Sequence, residues 1–273
     1  TESMSKNVNV LIITGFGLNC EVETDKAFTL CGATTKRVHL NDLIKGEDNL
    51  KNYQILAFIG GFSYGDHLGA GTVFANRVKH NLESDLRQFI DDGKLIIGIC
   101  NGFQTITRLG LVPALGGAYL EQQTALAENN QGVFRDAWIH LGANPDSPCV
   151  FTKGIDMIPL PIRHGEGKFV PLNDEVLEQL EANNQVALRY VKRDTGEVAT
   201  EFPYNPNGSV NAIAGICDPT GRIFGLMPHP EAYLSPYNHP HWQRQKINGV
   251  LPDVGLGQIV FQNAVDYAEA NLV

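Results

Sequence analysis

Three short, almost purely aliphatic runs, Val8–Ile13, Ile55–Ile59 and Leu95–Ile99, each stop at a glycine-bearing turn and are each followed by residues with helical spacing. Strands this apolar are buried on both faces, and a chain that alternates them with helices builds a parallel sheet covered on both sides. The first intervening helix is predicted over Glu21–Leu30, with Val22, Ala27 and Leu30 as its apolar positions. Phe74, Val78, Leu82, Leu86, Phe89 and Ile90 recur every three or four residues and predict a longer amphipathic helix ending near Asp91-Asp92-Gly93. A further short strand is expected at Thr34–Val38.

Beyond about residue 115 the alternation weakens into a strand-rich half. Strands are expected at Leu120–Leu126, Val133–Leu141, Val186–Val191, Ala212–Ile216 and Ile223–Met227, a short helix at Asp174–Leu180 and a closing helix at Gly257–Leu272. The fold class is therefore α/β, a mostly parallel central sheet flanked by helices with strand-rich insertions. At 273 residues the chain suits one large domain, read here as a flexible tail over residues 1–7 and a single domain over 8–273.

A formal net charge of -9 argues against nucleic acid as a partner, because phosphate-backbone binding relies on basic surface. No apolar run approaches the roughly 18 residues a membrane helix needs, and the first residues show no apolar signal region. The five cysteines, Cys20, Cys31, Cys100, Cys149 and Cys217, have no CxxC spacing. They read as reduced, mostly buried thiols of a cytoplasmic enzyme without a membrane association.

Cys100 is set apart by its surroundings. The run Leu95–Ile99 leads straight into Cys100-Asn101-Gly102-Phe103-Gln104 and then into the helical pattern Thr105, Ile106, Leu109. A nucleophile on such a strand-to-helix turn sits at the carboxyl edge of the sheet, and the amino end of the next helix favours a thiolate. A proton carrier is required, since a leaving amine must be protonated and water later activated. Met227-Pro228-His229-Pro230-Glu231 follows another apolar strand, and residues two apart in extended chain address the same side, so Glu231 can hold the His229 ring. His239 and His241 lack companion ligands at metal spacing, so no metal is expected. Gly15-Phe16-Gly17 lacks the third glycine of a dinucleotide fingerprint, and no Walker-type loop occurs. No cofactor is expected in this chain, and any ATP-dependent step is assigned to another one.

Gly98–Gln104 together with Met227–Glu231 resembles the class I glutamine amidotransferases of the Cys-His-Glu type. Within that class, Gly17–Glu21, Gly60–Asp66, His164–Phe169 and Tyr204–Ser209 resemble the glutaminase subunits of phosphoribosylformylglycinamidine synthase. The resemblance implies a flavodoxin-like architecture and hydrolysis of glutamine to glutamate and ammonia. A partner synthetase, holding ATP and Mg and in some cases joined by a small accessory subunit, then converts formylglycinamide ribonucleotide to its amidine. Carried over by position, Cys100, His229 and Glu231 form the triad, and the backbone N–H groups of Gly61 and Asn101 form the oxyanion hole. Gly60, Phe62 and Gln104 contact glutamine, and Asn129 and Phe134 border its pocket.

His164 and Glu166 are, by chemistry alone, either a second acid/base pair or part of an exposed glycine-rich loop; the resemblance favours a loop facing the synthetase. One departure is Ala232, where the family often has a basic residue. It leads into the aromatic, proline-rich segment Tyr233–Arg244, which reads as a lid or a partner contact. The alternatives are a class I amidotransferase serving another synthetase, a cysteine hydrolase of the related peptidase or chaperone type, and a non-catalytic scaffold subunit.

Overall fold

A computed structural model describes residues 7–273, so residues 1–6 of the expected tail lie outside the described residues. Its first half follows the alternation: β1 (Asn9–Thr14), α1 (Glu21–Leu30), β2 (Thr34–His39), the short α2 (Leu40–Ile44), β3 (Ile55–Phe58), α3 (Thr72–Asp91), β4 (Leu95–Ile99) and α4 (Asn101–Arg108). The second half contributes β5 (Thr124–Ala127), β6 (Arg135–Ala143), β7 (Met157–His164), β8 (Lys168–Pro171), α5 (Asp174–Ala182), β9 (Val186–Val191), β10 (Ile213–Cys217), β11 (Ile223–Leu226), α6 (Trp242–Ile247) and α7 (Gln258–Asn271).

Nine strands form one sheet in the order β2-β1-β3-β4-β11-β10-β9-β6-β7, while β5 and β8 pair separately. The strands from β2 to β11 run parallel, and β10, β9, β6 and β7 extend the sheet by antiparallel pairing. The chain moves outward in one direction from β1 to β2 and in the other from β3 to β4. With right-handed crossovers this puts α1 and α3 on opposite faces and leaves a crevice at the carboxyl ends of β1 and β3. Phe28 of α1 packs edge-on against Phe261 of α7 at 5.0 Å between ring centroids. α1 is anchored by Thr24, Ala27 and Phe28, whereas the expected apolar positions Val22 and Leu30 face outward, 58% and 44% exposed.

The antiparallel extension also decides where the chemistry sits. β7 stands five places from β4 in the order, yet the sheet curls so that its end returns to the carboxyl edge: Pro161 O accepts from the His229 N–H at 2.8 Å. β7 was not expected from the sequence because Pro159 and Pro161 interrupt it, and proline is tolerated here because β7 is an edge strand. The expected strand from Leu120 shortens to Thr124–Ala127, and Leu120 itself adopts φ 70°.

α4 lies almost in contact with the strand backbone beneath it. A Cβ on Gly102 would stand 1.9 Å from Phe58 O, so only glycine lets the helix sit this low. Gly102→Ala is expected to destabilise the fold by on the order of 3 kcal/mol, since backbone on both sides must move. Urea unfolding midpoints of the two proteins check this, and an unchanged midpoint would refute the packing argument.

Candidate active site

Cys100 occupies the junction between β4 and α4 with φ 54° and ψ -108°, a left-handed conformation costly for a residue with a side chain. It persists because both flanks are fixed: Cys100 N–H donates to Leu226 O at 2.9 Å, and Cys100 O accepts from Gln104 N–H at 3.0 Å. The sulfur is thereby lifted over the sheet edge while remaining 5% exposed. It donates to Arg163 O of β7 at 3.6 Å.

His229 and Glu231 leave β11 at the neighbouring strand end and are both buried. His229 Nδ1 and Glu231 Oε1 are 2.5 Å apart, while the second carboxylate oxygen has no partner. Burial alone would push the His229 imidazole down, but the Glu231 carboxylate and then the Cys100 and Cys20 sulfurs raise it well above the ordinary histidine range. Its Nε2 has no nitrogen or oxygen partner, and the ring faces those sulfurs. Gly60 makes room for this arrangement, since a Cβ there would stand 2.9 Å from His229 Cε1 and 3.1 Å from the Cys20 sulfur.

The Gly61 and Asn101 N–H groups donate to no protein acceptor among the described residues, whereas the adjacent Phe62 N–H is consumed by Gly17 O. Gly61 sits at φ 141°, and a Cβ would meet Leu18 Cα at 2.7 Å, so the loop after β3 closes tightly on the loop after β1. Gln104, one turn into α4, donates from Nε2 to Glu166 O at 2.5 Å and accepts from Asn101 Nδ2 at 3.1 Å. Phe62 and Phe134 sit together at the mouth, their rings 6.1 Å apart and about half exposed.

Two side chains expected at the site are turned inward. Asn129 is 3% exposed, donates to His164 O and Val133 O, and accepts from His164 Nδ1 and Gly167 N. All four of its hydrogen-bonding positions are filled internally, leaving none for a ligand. The His164 side chain is enclosed as well. It is 2% exposed, with its ring laid over Gly167, where a Cβ would stand 2.3 Å from Cε1. Glu166 is half-buried, its carboxylate accepting from Ala70 N–H at 3.0 Å.

The glycine-rich loop and Asn205–Ser209 belong to one buried network behind Cys100. Asn207 Nδ2 donates to Gly167 O and Tyr190 Oη, Ser209 Oγ donates to Asn207 Oδ1, and Phe169 N–H donates to Ser209 Oγ. These bonds set the height of Arg163 O and Glu166 O, the carbonyls that meet Cys100 and Gln104. The two that tie Asn207 to Gly167 and Ser209 to Phe169 join residues 40 positions apart, so no local pattern could have announced them.

Burial, and then the charge of His229, lower the His164 pKa to about 3. The unfolded chain therefore takes up a proton below about pH 6.5 that the folded chain refuses until about pH 3. Stability should fall with pH across that window, by at most about 1.4 kcal/mol per pH unit from this group. Denaturant titrations at several pH values between neutrality and pH 5 should show a shallower acid-side loss in His164→Gln. Identical slopes would count against the buried neutral imidazole.

Cys20 is the residue the sequence reading left outside the site. It precedes α1, its thiol raised by burial, and with His229 and Glu231 it forms the one group among the described residues whose ligand atoms lie within 4.8 Å of each other. A soft cation held there would occupy the nitrogen that has to carry the proton. A cavity of about 580 Å³ opens alongside, between the start of α1 and residues 232–238. The segment after Glu231 is pinned rather than free: Tyr233 and His239 are buried against Trp138, with ring centroids 5.1 and 4.9 Å away.

Comparison with known proteins identifies the family. Residues 7–268 match the family model of the CobB/CobQ-like glutamine amidotransferase domain. The chain is 46% identical to phosphoribosylformylglycinamidine synthase subunit PurQ of Methanococcus maripaludis, covering 94% of this chain and 96% of the relative. It is 44% identical to the subunit of that name from Dehalococcoides mccartyi, covering 97% and 99%. Among solved structures, a chain in the structure of PurLQS from Thermotoga maritima superposes with a TM-score of 0.70 at 30% identity, covering 96% of this chain and 99% of that one. The chain belongs to the PurQ family of phosphoribosylformylglycinamidine synthase subunits, within the CobB/CobQ-like glutamine amidotransferases.

Proposed function

We propose that the chain is a glutaminase that hydrolyses glutamine through Cys100, His229 and Glu231 and hands the ammonia to a synthetase making formylglycinamidine ribonucleotide. The carrying observation is the strained Cys100 turn facing a buried His229–Glu231 pair at 2.5 Å, beside two backbone N–H groups without acceptors. The Cys100 sulfur passes its proton to His229 Nε2 and attacks the side-chain amide carbon of glutamine. Negative charge gathers on the carbonyl oxygen, toward the Gly61 and Asn101 N–H groups. As the C–N bond breaks, His229 gives its Nε2 proton to the departing nitrogen, which leaves as ammonia. Water then attacks the γ-glutamyl thioester, His229 takes its proton, and the C–S bond breaks to release glutamate. Glu231 keeps the ring oriented and stabilises the imidazolium in both halves.

Residues 8–273 act as one amidotransferase unit without a cofactor of their own, ATP and Mg being supplied by the synthetase in the cytoplasm. No helix among the described residues is long and apolar enough to cross a membrane. Phe62 and Phe134, their ring centroids 6.1 Å apart, offer an exposed apolar docking point, and Phe16, Leu68, Val133 and Phe202 are further exposed apolar side chains on loops of this chain. Ammonia released before an acceptor is ready is lost by protonation and diffusion, so hydrolysis should wait on docking. Glutamate release should be slow for the subunit alone and at least about tenfold faster with synthetase and nucleotides, a population shift of about 1.4 kcal/mol. Leu68→Asp with Val133→Asp should weaken association without altering basal hydrolysis. Equal rates with and without partner would reject the gating.

A further inference from the structure

β6 is paired along nearly its whole length by β7, but β9 covers only His140–Ala143. The opposite side of Arg135–Ile139 therefore has no strand against it, and a cavity of about 270 Å³ fills the gap. Arg135, His140, Arg193, His239 and His241 line it together with Trp138 and Tyr204, and no carboxylate does. In a chain of net charge -9 this local excess of cationic and donor groups runs against the composition. Asp194 is near enough to His140 to be felt, but it lies outside the cavity wall.

Two donors in the wall are unanswered. Arg135 Nε is buried with no hydrogen-bond partner, while its guanidinium lies over the Phe202 ring at 4.9 Å. His239 is only 7% exposed, held edge-on to Trp138 at 4.9 Å, and its Nδ1 accepts from the His241 N–H at 3.1 Å. That bond puts the proton of the neutral ring on Nε2, which donates to no group among the described residues. Burial, reinforced by neighbouring cationic groups, lowers the pKa of both His140 and His239. An anion in the cavity would accept from the His239 Nε2–H and relieve this repulsion.

We propose that the cavity is a binding site for a phosphoryl anion, either inorganic phosphate or the phosphate of a small phosphomonoester. The guanidinium groups of Arg135 and Arg193 and the fixed Nε2–H of His239, approaching from different strands and loops, suit a tetrahedral oxyanion, and the volume leaves room for a small group carried on it. The site is separate from the Cys100 centre and stands whether or not the glutaminase reading holds.

Calorimetric titration of the full chain with inorganic phosphate, and separately with ribose 5-phosphate, at constant ionic strength is the test. Saturable binding with Kd of about 1 mM or tighter is expected for at least one of them. The tighter of the two identifies the source. Arg193→Gln should weaken it about tenfold or more while leaving glutamine hydrolysis unchanged, and this exposed side chain can be replaced without risk to the core. His239→Gln, checked by its melting curve, should do the same. Absence of saturable binding, or equal affinity in the wild type and both variants, overturns the proposal. Weaker association of Arg193→Gln with the synthetase, without any phosphate binding, also overturns it and assigns the cavity to an acidic segment of the partner.

Discussion

Replacing Cys100 by alanine will abolish glutamine hydrolysis while leaving the assembled synthetase able to form its product from added ammonia. The expected loss is at least about 10⁴-fold, because without the sulfur no thioester forms and the remaining donors can only polarise the amide. No other thiol can substitute. Cys31, Cys149 and Cys217 are buried away from the site, and Cys20 is packed beside His229 at the start of a helix rather than on the strained turn. Cys20→Ala should nevertheless alter turnover through His229, which the same substitution at Cys149 should not. Glutamate release assayed for each variant decides this, and retained glutaminase activity in Cys100→Ala would remove the nucleophile assignment. The ammonia-dependent rate is the control for an intact synthetase, and co-purification of the variant with the synthetase checks its folding and docking.

The second large effect lies in the relay. His229→Ala should cost roughly 10³-fold or more in turnover, as for a positioned acid/base group, and His229→Gln guards against loss of folding when Glu231 is left unpaired. Glu231→Gln should cost less, about 10- to 100-fold, and should carry a pH signature. The Glu231 carboxylate is the main influence raising the His229 pKa, so its removal lets burial dominate and the pKa falls. The protonated form then disappears at lower pH, and the alkaline limb of kcat/KM moves acidward. A limb unchanged in Glu231→Gln would show that the carboxylate does not set the charge of the imidazole.

How much of this was readable beforehand follows the range of the interactions. α3 was legible because Phe74, Val78, Leu82, Leu86, Phe89 and Ile90 mark one helical face, and all are buried as that spacing requires. The Cys100 turn and the His229–Glu231 pair were legible because each follows an apolar strand within a few residues. β7 was not, because its prolines argue against a strand until its edge position is known. Nor was the fate of the glycine-rich loop: Gly165 and Gly167 suggested an exposed connection, whereas Gly167 is there to admit the His164 ring. Cys20 entered the site only because the loops after β1 and β3 close on each other across Leu18 and Gly61.

The account turns on a covalent γ-glutamyl intermediate on Cys100. The direct measurement is acid quenching of the subunit–synthetase complex during glutamine turnover, followed by digestion and mass mapping of the subunit. A γ-glutamyl adduct on the peptide carrying Cys100, lost in Cys100→Ala, is the result predicted. An adduct mapped to Cys20 or to any other residue would contradict it, as would glutamate release with no covalent species on the chain.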